Sequence, residues 1–281
     1  DKLATDKLAT DKLATDKLAT DKLATDKLAT DKPATNHIKY FTIFGERCTG
    51  THFLQHAILK NFDIAYLKGE KHFFGHRELR NLSSVPDDAL TTREKELKVF
   101  DNTNKDEMIA FAIIRDPVEW IDSFFKRPHH VPPENHKTAE RFITSEFYSI
   151  YEEGFSKNQE IMDDRNWLTK ERYRDIFELR KWKCEYMLNI LPNQYKHFYF
   201  IRYEDLRDNY METLDKIRVF FDTSGLKRKK SSNEYESVVK YKGTYNALYE
   251  KKQVMLLDTI QQYIQEHVDA RQENEMGYFP K

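Results

Sequence analysis

Ile38-Lys39-Tyr40-Phe41-Thr42-Ile43-Phe44-Gly45-Glu46-Arg47-Cys48-Thr49-Gly50-Thr51 is the stretch that decides the fold. Its first half, Ile38 to Phe44, is an apolar run of strand length and reads as a buried strand. Its second half is a turn carrying two glycines, after which Thr51 to Lys60 has the periodicity of a helix. A strand, a glycine-bearing turn and a helix in that order make a phosphate cradle. Glycine lets successive backbone N–H groups turn inward, and the helix N-terminus favours an anion. Gly45 and Gly50 have the separation of a Walker A loop, yet Thr51 and His52 stand where such a loop has Lys and then a magnesium-binding Ser or Thr. Metal-assisted phosphoryl transfer therefore lacks its usual parts. Arg47, inside the turn, is the candidate for the missing positive charge, and Glu46 is expected to point away from the anion. A phosphatase-type nucleophile at Cys48 would need Arg six residues on, where Leu54 stands.

Beyond this stretch, short apolar runs alternate with amphipathic segments, the mark of an α/β sheet. Strands are predicted at Ile64 to Leu67, Met108 to Ile114 and Phe198 to Arg202. Pro117 is placed to open a helix running through Phe125, and another is predicted from about Asp205 to Phe221. The segments around 138–155 and 171–190 read as mostly helical. A last long helix is predicted from Tyr245 to Val268, with Leu248, Met255, Ile260 and Ile264 as its apolar positions. The predicted fold class is α/β, a P-loop-type parallel β-sheet flanked by helices, in a single domain over residues 36–281.

Residues 1–35 are different: six Asp-Lys-Leu-Ala-Thr units and a seventh with Pro33 in place of Leu. A five-residue period walks its leucines around a helix instead of lining one face, so this segment reads as a low-complexity, solvated tail or spacer. The repeat carries equal numbers of Asp and Lys, and without it 39 basic residues face 40 acidic ones. That balance argues against a mainly electrostatic nucleic-acid binder. Two cysteines, Cys48 and Cys184, make neither a disulfide framework nor a paired-cysteine zinc motif. No apolar run is long enough for a bilayer and no signal-peptide core is present, so the expectation is a soluble cytoplasmic protein with no membrane span. The sequence starts at Asp1, which leaves an upstream segment open.

A second motif gives the cradle its meaning. Arg115-Asp116-Pro117 ends a predicted strand, and Ser123 follows eight residues after the arginine. With the loop at Gly45 to Thr51, this resembles the signature of sulfotransferases that use 3'-phosphoadenosine-5'-phosphosulfate (PAPS). The resemblance implies that Gly45, Arg47, Cys48, Thr49, Gly50, Thr51 and His52 cradle the 5'-phosphosulfate, while Arg115 and Ser123 grip the 3'-phosphate. Chemistry agrees, since a guanidinium takes two phosphate oxygens and a hydroxyl two turns along donates to a third. Arg202-Tyr203-Glu204-Asp205-Leu206 is similar to a structural segment of the same family. Lys242 and Gly243 resemble its C-terminal loop over the 3'-phosphate and adenine. The spacing of Arg47 from Gly50 matches a subtype with a Gly-Glu-Arg opening.

Sulfuryl transfer needs a base for the acceptor proton and cations on the departing phosphate. Lys71-His72 resembles the family segment that carries the base, which makes His72 the candidate base, Lys71 and Arg47 the candidates for the bridging oxygen, and His76 the alternative base. His129, His130 and His136 form a cluster with no carboxylate or cysteine at metal-ligand spacing, so no metal is expected. The acceptor, whether carbohydrate, small molecule or protein, supplies a hydroxyl or amine. Two other readings stay open: a P-loop nucleotide or small-molecule kinase, and a non-catalytic nucleotide-binding protein.

Overall fold

Strand β1 (Tyr40–Phe44) lies second in a four-stranded parallel sheet, where β3 (Met108–Ile114) runs beside it with Tyr40 opposite Met108 and Phe44 opposite Ala112. The computed structural model describes residues 38–75, 85–229, 234–241, 246–247 and 249–279. The pentapeptide repeat, His76, Lys242 and Gly243 lie outside them. The short β2 (Ala65–Tyr66) flanks β1 on the other side and β4 (His197–Arg202) closes the far edge, giving the order β2-β1-β3-β4. The chain is thus an α/β protein whose parallel sheet is flanked by helices. All seven residues of β3 are buried, as a strand covered on both faces requires.

Alternation along β1 and β3 divides the interior. Phe41, Ile43, Ile109, Phe111 and Ile113 face one side, packing against Phe53, Leu54, Ala57 and Ile58 of α1 (Thr51–Asn61). Phe44, Met108, Ala110, Ala112 and Ile114 face the other, against Phe74, Phe100, Met187 and Leu191. Ala110 and Ala112 are fully buried, so a larger residue at either would overpack this face at a cost of about 1–3 kcal/mol. A third cluster forms beyond the sheet, where α3 (Pro117–Phe125) meets α9 (Asp258–His267) through Val118, Ile121, Phe124, Ile260 and Ile264. Before α3 comes α2 (Thr92–Asn102), and between α3 and α9 lie α4 (Ala139–Thr144), α5 (Ile176–Glu185), α6 (Leu191–Gln194), α7 (Tyr203–Asp208) and α8 (Tyr210–Phe220). A five-residue π-helical turn, Tyr186–Ile190, joins α5 to α6.

Three predicted helices are corrected. The segment around 138–155 is helical only over α4; beyond Ser145 the chain pairs as isolated bridges, Phe147 with Tyr173 and Ile150 with Glu160. The long C-terminal helix shrinks to α9. Residues 249–257 run without regular structure because Tyr249 stacks on Phe53 with ring centroids 3.8 Å apart, Met255 N donates to Asp122 Oδ1 at 2.9 Å, and Leu256 inserts into the third cluster. Met255, expected on the apolar face, is largely exposed. The helix over 205–221 is two, α7 and α8, broken at Asn209.

Candidate functional site

The sheet order places β2 and β3 on opposite sides of β1, so the chain changes direction between the carboxyl ends of β1 and β3. In open parallel sheets ligands bind in the crevice at such a switch point. Here it is flanked by Gly45, leaving β1, and Arg115, leaving β3. A cleft of about 770 Å³ opens there, large enough for a nucleotide with a second molecule beside it.

The loop between β1 and α1 is shaped by its glycines. A Cβ on Gly45 would sit 2.7 Å from the carbonyl oxygen of Ile113, so the loop leaves β1 hard against β3. Gly50 has φ +99°, and a Cβ there would lie 2.4 Å from Tyr203 Cδ2. Cys48 also has positive φ. Gly50 is the N-cap of α1 and has no side chain to cap with, which leaves the first-turn N–H groups of Thr51, His52 and Phe53 for a ligand. No acidic side chain occupies that first turn.

Cys48, Gly50, Thr51 and His52 line the cleft together with Arg115, Ser123 and His72. The two halves of the sequence signature, more than sixty residues apart, therefore border one cavity. Gly45 and Thr49 shape the turn instead: the Thr49 hydroxyl donates to the Glu46 carbonyl at 2.6 Å. Burial raises the Cys48 thiol above its usual range, although a hydrogen bond with Ser123 opposes this, so a ready thiolate is not on offer.

Arg115 stacks over Tyr203 with its guanidinium 4.5 Å from the ring centre, and its NH2 is 3.0 Å from Glu119 Oε2. The same carboxylate oxygen accepts from Arg207 at 2.9 Å. Arg207 is also held by Asp208, to which its Nε and NH2 donate at 2.7 and 2.8 Å, so Arg115 stands beside the cleft with only a share of the Glu119 charge. Asp116 caps α3, accepting from the N–H groups of Val118 and Glu119, which fixes the start of the helix that carries Ser123. Farther along the same wall stand Lys126, paired with Asp122, and Arg127, which makes no ion pair among the described residues. Arg127, Glu119 and Arg207 belong to no motif visible in the sequence; only the nearness of Arg127 to Ser123 hinted at it.

Arg47 also borders the cleft, but its guanidinium is buried and held by protein partners. Its side chain is 3% exposed: Nε donates to Glu46, NH1 to Ser149 Oγ at 2.6 Å, and NH2 to Asp164 Oδ2 at 2.7 Å. Phe73, Phe124 and Phe147 surround the guanidinium. Burial disfavours its charge, but Asp164 and Glu46 more than offset this, and its pKa is raised. Glu46 is held in the interior by this pairing, and both are structural neighbours of the cradle.

His72 lines the cleft with its Nδ1 2.6 Å from the Gly45 carbonyl. A carbonyl only accepts, so Nδ1 carries the hydrogen and Nε2 carries the lone pair. Burial, then the nearby Lys71 charge, holds its pKa well below the ordinary histidine value, against the opposing pull of the Gly45 bond. The ring is therefore a neutral proton acceptor at pH 7. Lys71 contributes its main chain, whose carbonyl accepts from Gly45 N at 3.0 Å. Its side chain is absent from the cleft lining, and burial with Lys68 and Arg93 lowers the amine to about 8. His52, His56, His129 and His130 also border the cavity. Among the described residues no group of three or more His, Cys, Asp or Glu side chains is arranged to hold a metal ion, and no helix is long and apolar enough to cross a membrane.

No family model matches the chain, and no curated protein matches it. Among solved structures it is similar to mouse sulfotransferase SULT7A1 complexed with PAP, at 14% identity and a TM-score of 0.32, over 66% of this chain and 59% of that one. The chain thus spans less than two thirds of that protein's length, and the site is read from its own residues.

Proposed function

We propose that the chain is a sulfotransferase that moves a sulfuryl group from PAPS to a hydroxyl or amine acceptor. The observation that carries this reading is that the start of α1, the Arg115 and Ser123 pair, and His72 border one cleft. A donor with phosphates on both sides of its ribose needs two separate anion sites, and in this reading the two sides of the cleft would supply them. The first-turn N–H groups of α1 would take the phosphosulfate end; Arg115 and Ser123 would take the 3'-phosphate.

His72 acts as the base. Its Nε2 takes the acceptor proton as the acceptor oxygen or nitrogen bonds to sulfur, while the sulfur–oxygen bond to the 5'-phosphate breaks and its electron pair leaves with that phosphate. The fixed N–H groups of the loop stabilise the charge that gathers there, with no reorganisation required. Arg127 is a further cation on the same wall. Arg47 does not touch the donor in this reading and supports the loop from the protein side.

The test is turnover of PAPS with a panel of sugar, phenol and peptide acceptors in excess chelator. Sulfated product at an undiminished rate supports the reading. Transfer that appears only with ATP and magnesium would assign the chain to the kinases instead.

A further inference from the structure

Next to His72 lies a cluster of four charged side chains, each at least 95% buried: Glu46, Arg47, Asp164 and Lys183. Asp164 is its hub. Oδ2 accepts from Arg47 and from Ser149, and Oδ1 accepts from Lys183 Nζ at 2.7 Å. Burial alone would push the Asp164 carboxyl up, but Arg47 and then Lys183 hold it below the usual carboxylate range, so it is ionised. Lys183 comes from α5 and reaches past the Phe74 ring, 4.6 Å from its centre, to donate a second hydrogen bond to the carbonyl of His72 at 2.7 Å.

A buried charge cluster of this kind is seldom retained for stability, since well-packed apolar residues of similar volume serve as well or better. Its contacts show what it does serve. Through Arg47 it holds the loop and the carbonyl of His129 on the cleft wall; through Lys183 it holds the main chain of His72. His72 is thereby gripped on two sides, by the Gly45 carbonyl at Nδ1 and by Lys183 at its own carbonyl. Each grip restricts a different freedom. The Gly45 bond fixes the tautomer and ring direction, and the Lys183 bond fixes the peptide from which the ring projects.

We infer that Lys183 and Asp164 are positioning residues for His72, holding the peptide from which its ring projects so that Nδ1 stays on the Gly45 carbonyl and Nε2 is left as a proton acceptor. Lys183 supplies the contact, and Asp164, whose Oδ1 accepts from Nζ at 2.7 Å, keeps it aimed. The inference uses the reading of His72 as the base, but the geometry it asserts is measurable without any turnover. A base displaced by about 1 Å loses on the order of 10²-fold in rate, so the effect falls on kcat and leaves the anion sites intact.

The experiment compares the full chain with Lys183→Met, which keeps the packing against Phe74 and removes the ammonium. Nitrogen-15 spectra of the histidine side chains, with the His72 signal assigned by its loss in His72→Ala, report the tautomer. In the unaltered protein His72 is expected as a single Nδ1–H tautomer; a mixture of tautomers there overturns the proposal even if the variant does not fold. In Lys183→Met the tautomers are expected to mix, kcat to fall about 10²-fold, and affinity for 3',5'-diphosphoadenosine to stay within about twofold. A His72 signal unchanged by the substitution, or a parallel fall in kcat and nucleotide affinity, would show Lys183 to be general scaffolding. A shifted tautomer in a protein that never turns over PAPS would leave the positioning role standing and remove the sulfotransferase reading.

Discussion

Arg47 and Arg115 sit at the ends of adjacent strands and look alike in sequence, each in a short motif beside glycine or proline, yet the fold gives them opposite work. Arg47 is enclosed by three phenylalanine rings and paired with two buried carboxylates. Both border the cleft, but Arg115 shares its one carboxylate with Arg207 and rests on Tyr203. The difference teaches that a cation in a glycine-bearing strand-to-helix loop need not be free to hold an anion. What decides is whether counter-charges already surround it. In this protein the first-turn N–H groups after the loop are left uncapped, and its arginine side chain is buried in the interior.

That contrast is open to attack by substitution. The largest expected effect is on catalysis: His72→Ala should retain 3',5'-diphosphoadenosine binding and lose about 10²- to 10⁴-fold in kcat, read by product formation at saturating donor. Normal turnover would move the base elsewhere, with His76 the next candidate. Arg47→Met should cost about 3–5 kcal/mol of stability by stranding Glu46 without its partner, seen as a lower urea midpoint. A nearly unchanged midpoint coupled to lost nucleotide affinity would restore Arg47 to the phosphate and dissolve the contrast.

The pH dependence is smaller and has a definite sign. The folded His72 has a depressed pKa, so the unfolded chain binds this proton first and stability drains away as the pH falls below about 6.5 toward the folded value, by at most about 1.4 kcal/mol per pH unit. Melting curves across that window should shift less in His72→Ala than in the unaltered protein. Least affected is Cys48→Ser, whose nucleotide affinity should remain within about threefold because the loop presents backbone N–H groups and not the thiol; a large loss would give the side chain a direct role.

Much of the frame was legible. The runs at 40–44 and 108–114 are apolar because both faces are covered, and Pro117 can only start a helix, so β1, β3 and α3 emerged from local chemistry. The Thr91-Thr92-Arg93-Glu94 capping box, which opens α2, is likewise a local signal carried by the sequence. The overextended helices failed for tertiary reasons. At 249–257 an apolar spacing that suits a helix is overridden by Tyr249 on Phe53 and by Met255 N on Asp122, contacts more than a hundred residues distant.

The candidate site divides the same way. Loop residues and the Arg115 and Ser123 pair announce themselves by spacing, because one strand or helix end presents them. Asp164, Lys183 and Ser149 have no such signature, since their meaning arises only when α5 and the 145–166 segment are folded against Arg47 and His72. The fate of Arg47 was hidden for that reason: its partners lie 102 and 117 residues away.

The central claim is that one cleft carries two anion sites matched to a nucleotide phosphorylated on both sides of its ribose. Calorimetric titration of 3',5'-diphosphoadenosine, compared with ATP, into the unaltered chain, Arg115→Ala and Ser123→Ala tests it most directly. The account predicts that 3',5'-diphosphoadenosine binds more tightly than ATP and that Arg115→Ala weakens it by about 10- to 100-fold, the loss of a charge-assisted pair, with a smaller loss for Ser123→Ala. Equal affinity for ATP, or a 3',5'-diphosphoadenosine affinity untouched by both substitutions, would contradict it.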